Sequence, residues 1–311
     1  MKRIATLLLV FTMLLSFVAC GGEPTNNDGG ANVNNTTNEA DQTTPLQEEA
    51  AKGEESKEDE IIFTEMVAID NEECTIKITG IDADNFWGYT LKALLENKSA
   101  DKTYMFSVET AAINGVQTDP FFASEVAAGK KSNEEISFID STLEENGITE
   151  YTDIELTFRV YDSDDWTADE VATETIHIYP YGEDKAVNFA REAQDSDNVI
   201  IDNDYVSVIV TGYEEDEIWG YTVNLFLLNK TDKNVMFSVD EASVNGFMAD
   251  PFYATSVSAG KCAFSSMTWL DTTFEENGIT EVENIEFNLK AYDEDNWSGD
   301  DFANETVTLN P

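Results

Sequence analysis

The side chains best placed for chemistry are carboxylates that alternate along two short stretches. The first reads Asp162, Ser163, Asp164, Asp165, Trp166, and then Asp169. The second, far downstream, reads Asp293, Glu294, Asp295, Asn296, Trp297, and then Asp300 and Asp301. Alternating oxygen ligands on one loop suit a hard cation such as calcium. The expected ligands are Asp162, Asp164 and Asp165 in the first stretch and Asp293, Asp295 and Asn296 in the second. A further acidic run precedes each Trp-Gly-Tyr segment, with Asp82, Asp84 and Asn85 in one and Glu214, Glu215 and Asp216 in the other. If the two loops meet, they could share an ion. The pattern is no EF-hand, because the sixth-position glycine and a well-placed twelfth-position glutamate are missing. A plain solvated acidic loop reads the same way. Trp166 and Trp297 flank these stretches. An exposed indole there would contact a glycan or a protein, and a buried one would cover a core.

Other reactive side chains are few. The single histidine, His177, lies on a strand whose later counterpart carries Thr308, so it reads as a surface residue. No nucleophile elbow, phosphate-cradling loop or zinc-ligand spacing appears. Hydrolysis by a carboxylate pair remains an alternative, but with 63 acidic residues no particular pair stands out.

Three cysteines are present. Lys2 and Arg3 open the chain, Ile4 to Phe17 is apolar but too short for a comfortable membrane span, and Ala19 precedes Cys20. Phe17-Val18-Ala19-Cys20 resembles the bacterial lipobox, with Phe17 in place of the usual leucine, which makes Cys20 the expected lipidation site. Two acyl chains on one residue suffice for stable anchoring. The expected location is the extracytoplasmic face of the cell membrane, held there by the lipid. Cys74 and Cys262 align with Val206 and Lys131 in the two halves of the chain. A disulfide repeated per half is thereby excluded, and the expectation is a core thiol at Cys74 and a solvent-side thiol at Cys262.

These residues sit in a repeated framework. Val67 to Asn71 matches Val199 to Asn203, Trp87 to Thr90 matches Trp219 to Thr222, Met105 to Val108 matches Met236 to Val239, and Glu144 to Glu150 matches Glu275 to Glu281. A repeat this long should carry its own core. Within a copy, apolar residues alternate with period two, as in Cys74, Ile76, Ile78 and Ile154, Leu156, Phe158, Val160, which predicts half-buried strands. Asn114-Gly115 and Asn245-Gly246 predict tight hairpins, because both turn residues need positive φ. Ser141 and Glu144 have capping-box spacing, with Gly147 as a left-handed stop and Ile148 folding back on Leu143, which predicts one helical turn. About seven strands per copy suggests an immunoglobulin-like sandwich. The expected fold is all-β, with two tandem immunoglobulin-like β-sandwich domains after a disordered tether. Its segments are a signal peptide at 1–20, a tether at 21–58, repeat 1 at 59–180, a linker at 181–198 with a short helix at Ala186 to Ala193, and repeat 2 at 199–311. The tether is poor in apolar residues and would span roughly 35 Å.

The formal net charge of −46 excludes nucleic acid as a partner. The runs Trp-Gly-Tyr-Thr, Asn-Lys, Phe-Ser-Val, Asn-Gly, Asp-Pro-Phe and Glu-Glu-Asn-Gly-Ile, spread over residues 65–311, resemble a family of uncharacterised tandem immunoglobulin-like lipoproteins of Clostridia and related Gram-positive bacteria. The resemblance implies fold and location and supplies no active site. The residues themselves suggest a non-enzymatic binding or scaffold module for a protein, a glycan or calcium, with no other cofactor. The alternative is an extracytoplasmic hydrolase using acidic residues.

Overall fold

The computed structural model describes residues 60–311 apart from 140, 166 and 217–219. The expected signal peptide, Cys20 and the expected tether lie outside the described residues, as do Trp166 and Trp219. Among the described residues no helix is long and apolar enough to cross a membrane.

The chain is all-β, and the period-two alternation explains why. Cys74, Ile76 and Ile78 point inward with no exposed surface while Thr75 and Lys77 stay partly wet, and Ile154 to Val160 alternates in the same way. In the first copy, β1 (Met66–Asp70), β2 (Cys74–Asp82), β3 (Tyr89–Asn97) and β7 (Lys131–Phe138) form one sheet in the order β1-β2-β3-β7. Its apolar face shares a core with β5 (Val116–Thr118), β4 (Tyr104–Ile113), β8 (Ile154–Asp162) and β9 (Ala172–Ile178), ordered β5-β4-β8-β9, with β6 (Ala123–Val126) on β4. The second copy repeats this plan. Its first sheet is β10 (Asn198–Asp202), β11 (Val206–Asp216), β12 (Gly220–Asn229) and β16 (Cys262–Trp269). Its second is β14 (Phe247–Met248), β13 (Val235–Val244), β17 (Ile285–Asp293) and β18 (Ala303–Leu309), with β15 (Ala254–Val257) on β13. Each copy therefore has more strands than the seven expected. The Asn-Gly hairpins add short return strands, and the segments after Asp-Pro-Phe add β6 and β15.

Both hairpins form as expected, with φ of 53° and 82° at Asn114 and Gly115 and 50° and 81° at Asn245 and Gly246. The helical turns form too, as α1 (Ser141–Glu145) and α2 (Asp271–Asn277). Ile148 N–H donates to the Leu143 carbonyl at 2.8 Å and Ile279 N–H to Phe274 at 2.9 Å, closing the backfolded stop. The capping box does not form as expected. Ser141 is already the first helical residue, and in the second copy Leu270 occupies the cap with no side-chain bond.

Each copy has its own core, and the two meet at a built junction. Val116 of β5 pairs in parallel with Cys262 of β16, which joins one sheet of each copy. The Gln117 side chain donates to Ser256 O at 2.6 Å and accepts from Ser258 N at 2.8 Å. Phe226 and Cys262 of the second copy pack into the first copy's core, and the described residues gather into one compact unit. Two expectations are corrected here. Cys262 is buried, not on the solvent side, because the junction covers it, and burial pushes its thiol up to about 11. Ala186 to Ala193 is not helical. After a 3₁₀ turn at Glu183–Lys185 its N–H groups dock outward instead, Val187 onto Thr152 Oγ1 at 3.1 Å and Phe189 onto Asn114 O at 2.7 Å. These tertiary bonds use donors that a helix would have turned inward.

Candidate functional site

The acidic stretches are held in place by bonds of their own. Asp162 ends β8, is largely buried, lies 3.0 Å from Lys102 Nζ and accepts from Asp164 N at 3.1 Å. Asp293 ends β17, is equally buried, pairs with the Lys233 ammonium and accepts from Asp295 N at 3.1 Å. The hydrogen-bonded lysine holds each carboxyl below its ordinary value. Asp165 accepts from Thr167 Oγ1 at 2.7 Å. Asp164, Asp295 and Asn296 are exposed. Of the second acidic run, Asp82 pairs with Lys92 at 3.1 Å and Glu214 accepts from Asn224 Nδ2 at 2.7 Å. Among the described residues no three His, Cys, Asp or Glu side chains form a group that could hold a metal ion. The structure thus places the expected calcium ligands on two loops without closing them into a cage.

The tryptophans split. Trp269, which the sequence did not single out, is the core indole and donates to Ala249 O at 2.8 Å. Trp297 is 79% exposed, and Trp87 is 59% exposed with Phe86 edge-on at 5.0 Å. Neither covers the core. Trp166 lies outside the described residues.

His177 stands at the junction, 2.8 Å from Asp153 Oδ1 and 3.3 Å from Glu155 Oε2. Glu155 also meets Lys261 of the second copy. A polar cleft between the copies is lined by Glu109, Glu155, Glu294 and Asp295 among others. Glu155 is held there by Lys261 and His177, and Glu294 by the Ser256 hydroxyl. Of these bonds Lys261–Glu155 joins the two copies, whereas His177–Glu155 lies within the first copy and Ser256–Glu294 within the second.

The surface that recurs is apolar, and sequence reasoning missed it. In the second copy a groove of about 660 Å³ opens on the outer face of β11, β12 and β16. Phe252 and Leu270 form its lips, Thr222 and Thr268 its floor, and Glu214 and Asp216 its rim. The two floor hydroxyls lie 3.1 Å apart. In the first copy a smaller groove of about 390 Å³ is lined by Phe121, Ser137 and Ile139, the aligned residues of Phe252, Thr268 and Leu270. Ser137 again bonds a strand threonine, Thr90, at 2.8 Å. Phe121 is 90% exposed and Phe252 68% exposed.

The Asp-Pro-Phe segments present these rings. Asp119 Oδ1 accepts from Phe121 N at 2.7 Å and holds Phe121 at a φ of 49°, an unusual conformation for a bulky residue. Phe252 exchanges backbone bonds with Thr268 at 2.8 and 3.3 Å. The available signal was a phenylalanine after an Asp-Pro turn in both copies, a position where solvent is the default environment.

No protein-family model matches the chain, and no curated protein matches it. Among solved structures the chain is similar to the transglutaminase of red sea bream at 10% identity, with a TM-score of 0.21. The overlap covers 78% of this chain and 31% of that one, so the chain spans under half of that protein's length, and a likeness of this degree carries no argument.

Proposed function

We propose that this chain is a lipoprotein anchored through Cys20 on the extracytoplasmic face of the cell membrane, whose two β-sandwich copies are non-catalytic binding modules for a protein or glycan partner. The observation that carries the binding role is the recurrence of one exposed apolar groove at aligned positions of both copies. Isolated exposed apolar residues are ordinary, whereas an exposed apolar patch within a polar rim marks an interaction site. Two linked modules raise avidity without new contacts. Calcium is no part of this reading, because Asp162 and Asp293 already have lysine partners.

Two measurements test it. Cys20→Ala should leave the sandwiches folded, abolish lipid labelling and release the protein from the membrane fraction; continued membrane retention overturns the anchor. A photo-crosslinking residue at position 121 or 252 should give the same discrete adduct on intact cells, and one at exposed Glu174 of β9 should not. Equal labelling from all three positions would sink the groove as the binding site.

A further inference from the structure

We propose that β14 of the second copy is an open docking edge for a partner protein. It takes an exposed β-strand of that partner in parallel register, one that carries a lysine followed by an apolar side chain. The edge shares no residue with either groove, so the proposal stands apart from the groove reading.

The first copy shows this edge occupied. β5 follows the Asn114-Gly115 turn, as β14 follows Asn245-Gly246. Val116 of β5 pairs in parallel with Cys262 of β16 and is 1% exposed. Cys262 N donates to Gly115 O at 3.1 Å, so main chain holds the incoming strand, as in other cases of strand addition. One residue earlier in that strand, Lys261 reaches Glu155 of β8.

The second copy keeps these parts and leaves them uncovered. Among the described residues β14 ends its sheet and pairs with β13 alone. Phe247 and Met248 stand at the positions of Val116 and Gln117, and they are 49% and 67% exposed. Phe247 is larger than the valine that the first copy buries, and Met248 is more apolar than the glutamine. β14 carries no charge that would turn a strand away, whereas β7, the open edge of the first copy, carries Lys131. Glu286 of β17 stands at the position of Glu155 and is exposed. An apolar edge beside a carboxylate complements a strand built like Lys261-Cys262.

The occupant is not another molecule of this chain. β7 is the counterpart of β16, and it presents Lys131 and Asn133 where β16 has Cys262 and Phe264. Docking would set Lys131 against Phe247. Such a head-to-tail contact would also stay open at both ends and grow into fibres. The charge on β7 keeps molecules of this chain apart and reserves β14 for a different protein.

The test gives β7 the face that β16 uses. In the full chain, Leu94→Phe, Lys131→Val and Asn133→Phe together copy Phe226, Cys262 and Phe264. Lys130, exposed ahead of β7, already stands where Lys261 does. Sedimentation velocity should show the unaltered chain as a monomer and the triple variant associating with concentration. Because apolar grafts can be adhesive by themselves, the decisive changes lie on β14 and β17. Added to the triple variant, Met248→Lys should weaken association roughly tenfold or more. Glu286→Lys should weaken it roughly threefold, and Lys130→Glu in the same molecule should restore it. If the triple variant does not fold, Lys131→Val alone takes its place with the same readings.

No association, or association indifferent to Met248→Lys, overturns the docking edge. Loss on Glu286→Lys without rescue by Lys130→Glu, or no loss at all, overturns the lysine requirement. Association of the unaltered chain that Met248→Lys removes would make another molecule of this chain the occupant and overturn the separate partner. On intact cells, a photo-crosslinker at position 248 should attach to a partner residue in a strand that carries a lysine before an apolar side chain. Attachment only to a helix or a loop overturns the proposal.

Discussion

Gly88 and Gly220 stand at the start of β3 and β12 with φ of 95° and 81°, and a Cβ on either would lie 2.2 Å from the carbonyl oxygen of Phe138 or Trp269. The glycine and the threonine of the Trp-Gly-Tyr-Thr runs are thereby explained. Glycine permits both the left-handed backbone and the close approach of one strand to its neighbour. The threonine that follows two residues later bonds the groove floor, Thr90 to Ser137 and Thr222 to Thr268. Gly220→Ala should destabilise the second copy by about 3 kcal/mol, through left-handed strain plus the displaced carbonyl. Chemical denaturation would register it as a lower midpoint, and an unchanged midpoint would refute the close approach. At this scale the sequence was legible where backbone geometry dictates residue type, as at Asn114-Gly115. It did not separate the tryptophans. Trp87 and Trp297 are as apolar as Trp269, and only the register of β16 decides that Trp269 faces inward.

The elements that alternate in sequence alternate in space, so nearly every strand was legible. The linker at 181–198 was not, because its conformation depends on bonds to Thr152 and Asn114 far away in sequence. The junction left a trace that becomes readable only when the copies are compared. Lys131, Asn133 and Leu94 in the first copy are replaced by Cys262, Phe264 and Phe226 in the second. The second copy is more apolar there because β5 and Phe189 cover it, with the Phe189 and Phe264 rings 5.9 Å apart. In the first copy Lys131 stays exposed on the β7 edge, paired with Glu96, where a charge discourages strand addition. This arrangement predicts an order of thiol reactivity. Burial pushes both Cys74 and Cys262 up to about 11, so neither should react quickly with a thiol reagent near neutral pH. In a Cys20→Ala background, Gln117→Ala removes the bonds to Ser256 and Ser258 and should speed labelling of Cys262 while leaving Cys74 protected. Mass spectrometry of quenched samples resolves the two sites. Acceleration at both together would mean that the junction does not open independently of the first core.

Across the whole molecule, the −46 charge and the ion pairs pull stability in opposite directions as pH changes. Self-repulsion opposes the compact state, and it eases as carboxylates begin to protonate. Against this, Asp70, Asp162, Asp197, Asp202 and Asp293 are each held below the ordinary value of 3.8, chiefly by a hydrogen bond from Lys98, Lys102, Arg191, Lys230 and Lys233 respectively. A carboxyl with a lowered folded value binds its proton more readily when unfolded. Its contribution is therefore complete above 3.8 and is lost as pH falls through the lowered value. Lys102 and Lys233 are raised above 10.5, so their share is complete below that value and lost as pH climbs through the folded one. Between these limits only the repulsion varies. The melting temperature should rise by a few degrees from pH 8 to about pH 5, peak there, and drop below pH 3.8 as the paired aspartates protonate. At pH 7, 0.5 M sodium chloride should reproduce most of the rise, because salt screens distant surface charges more than the bonded pairs. Calorimetric scans at two salt concentrations decide the matter. A melting temperature that is flat from pH 8 to pH 5 and indifferent to salt would show that the charge of this chain acts on its partners and not on its own stability.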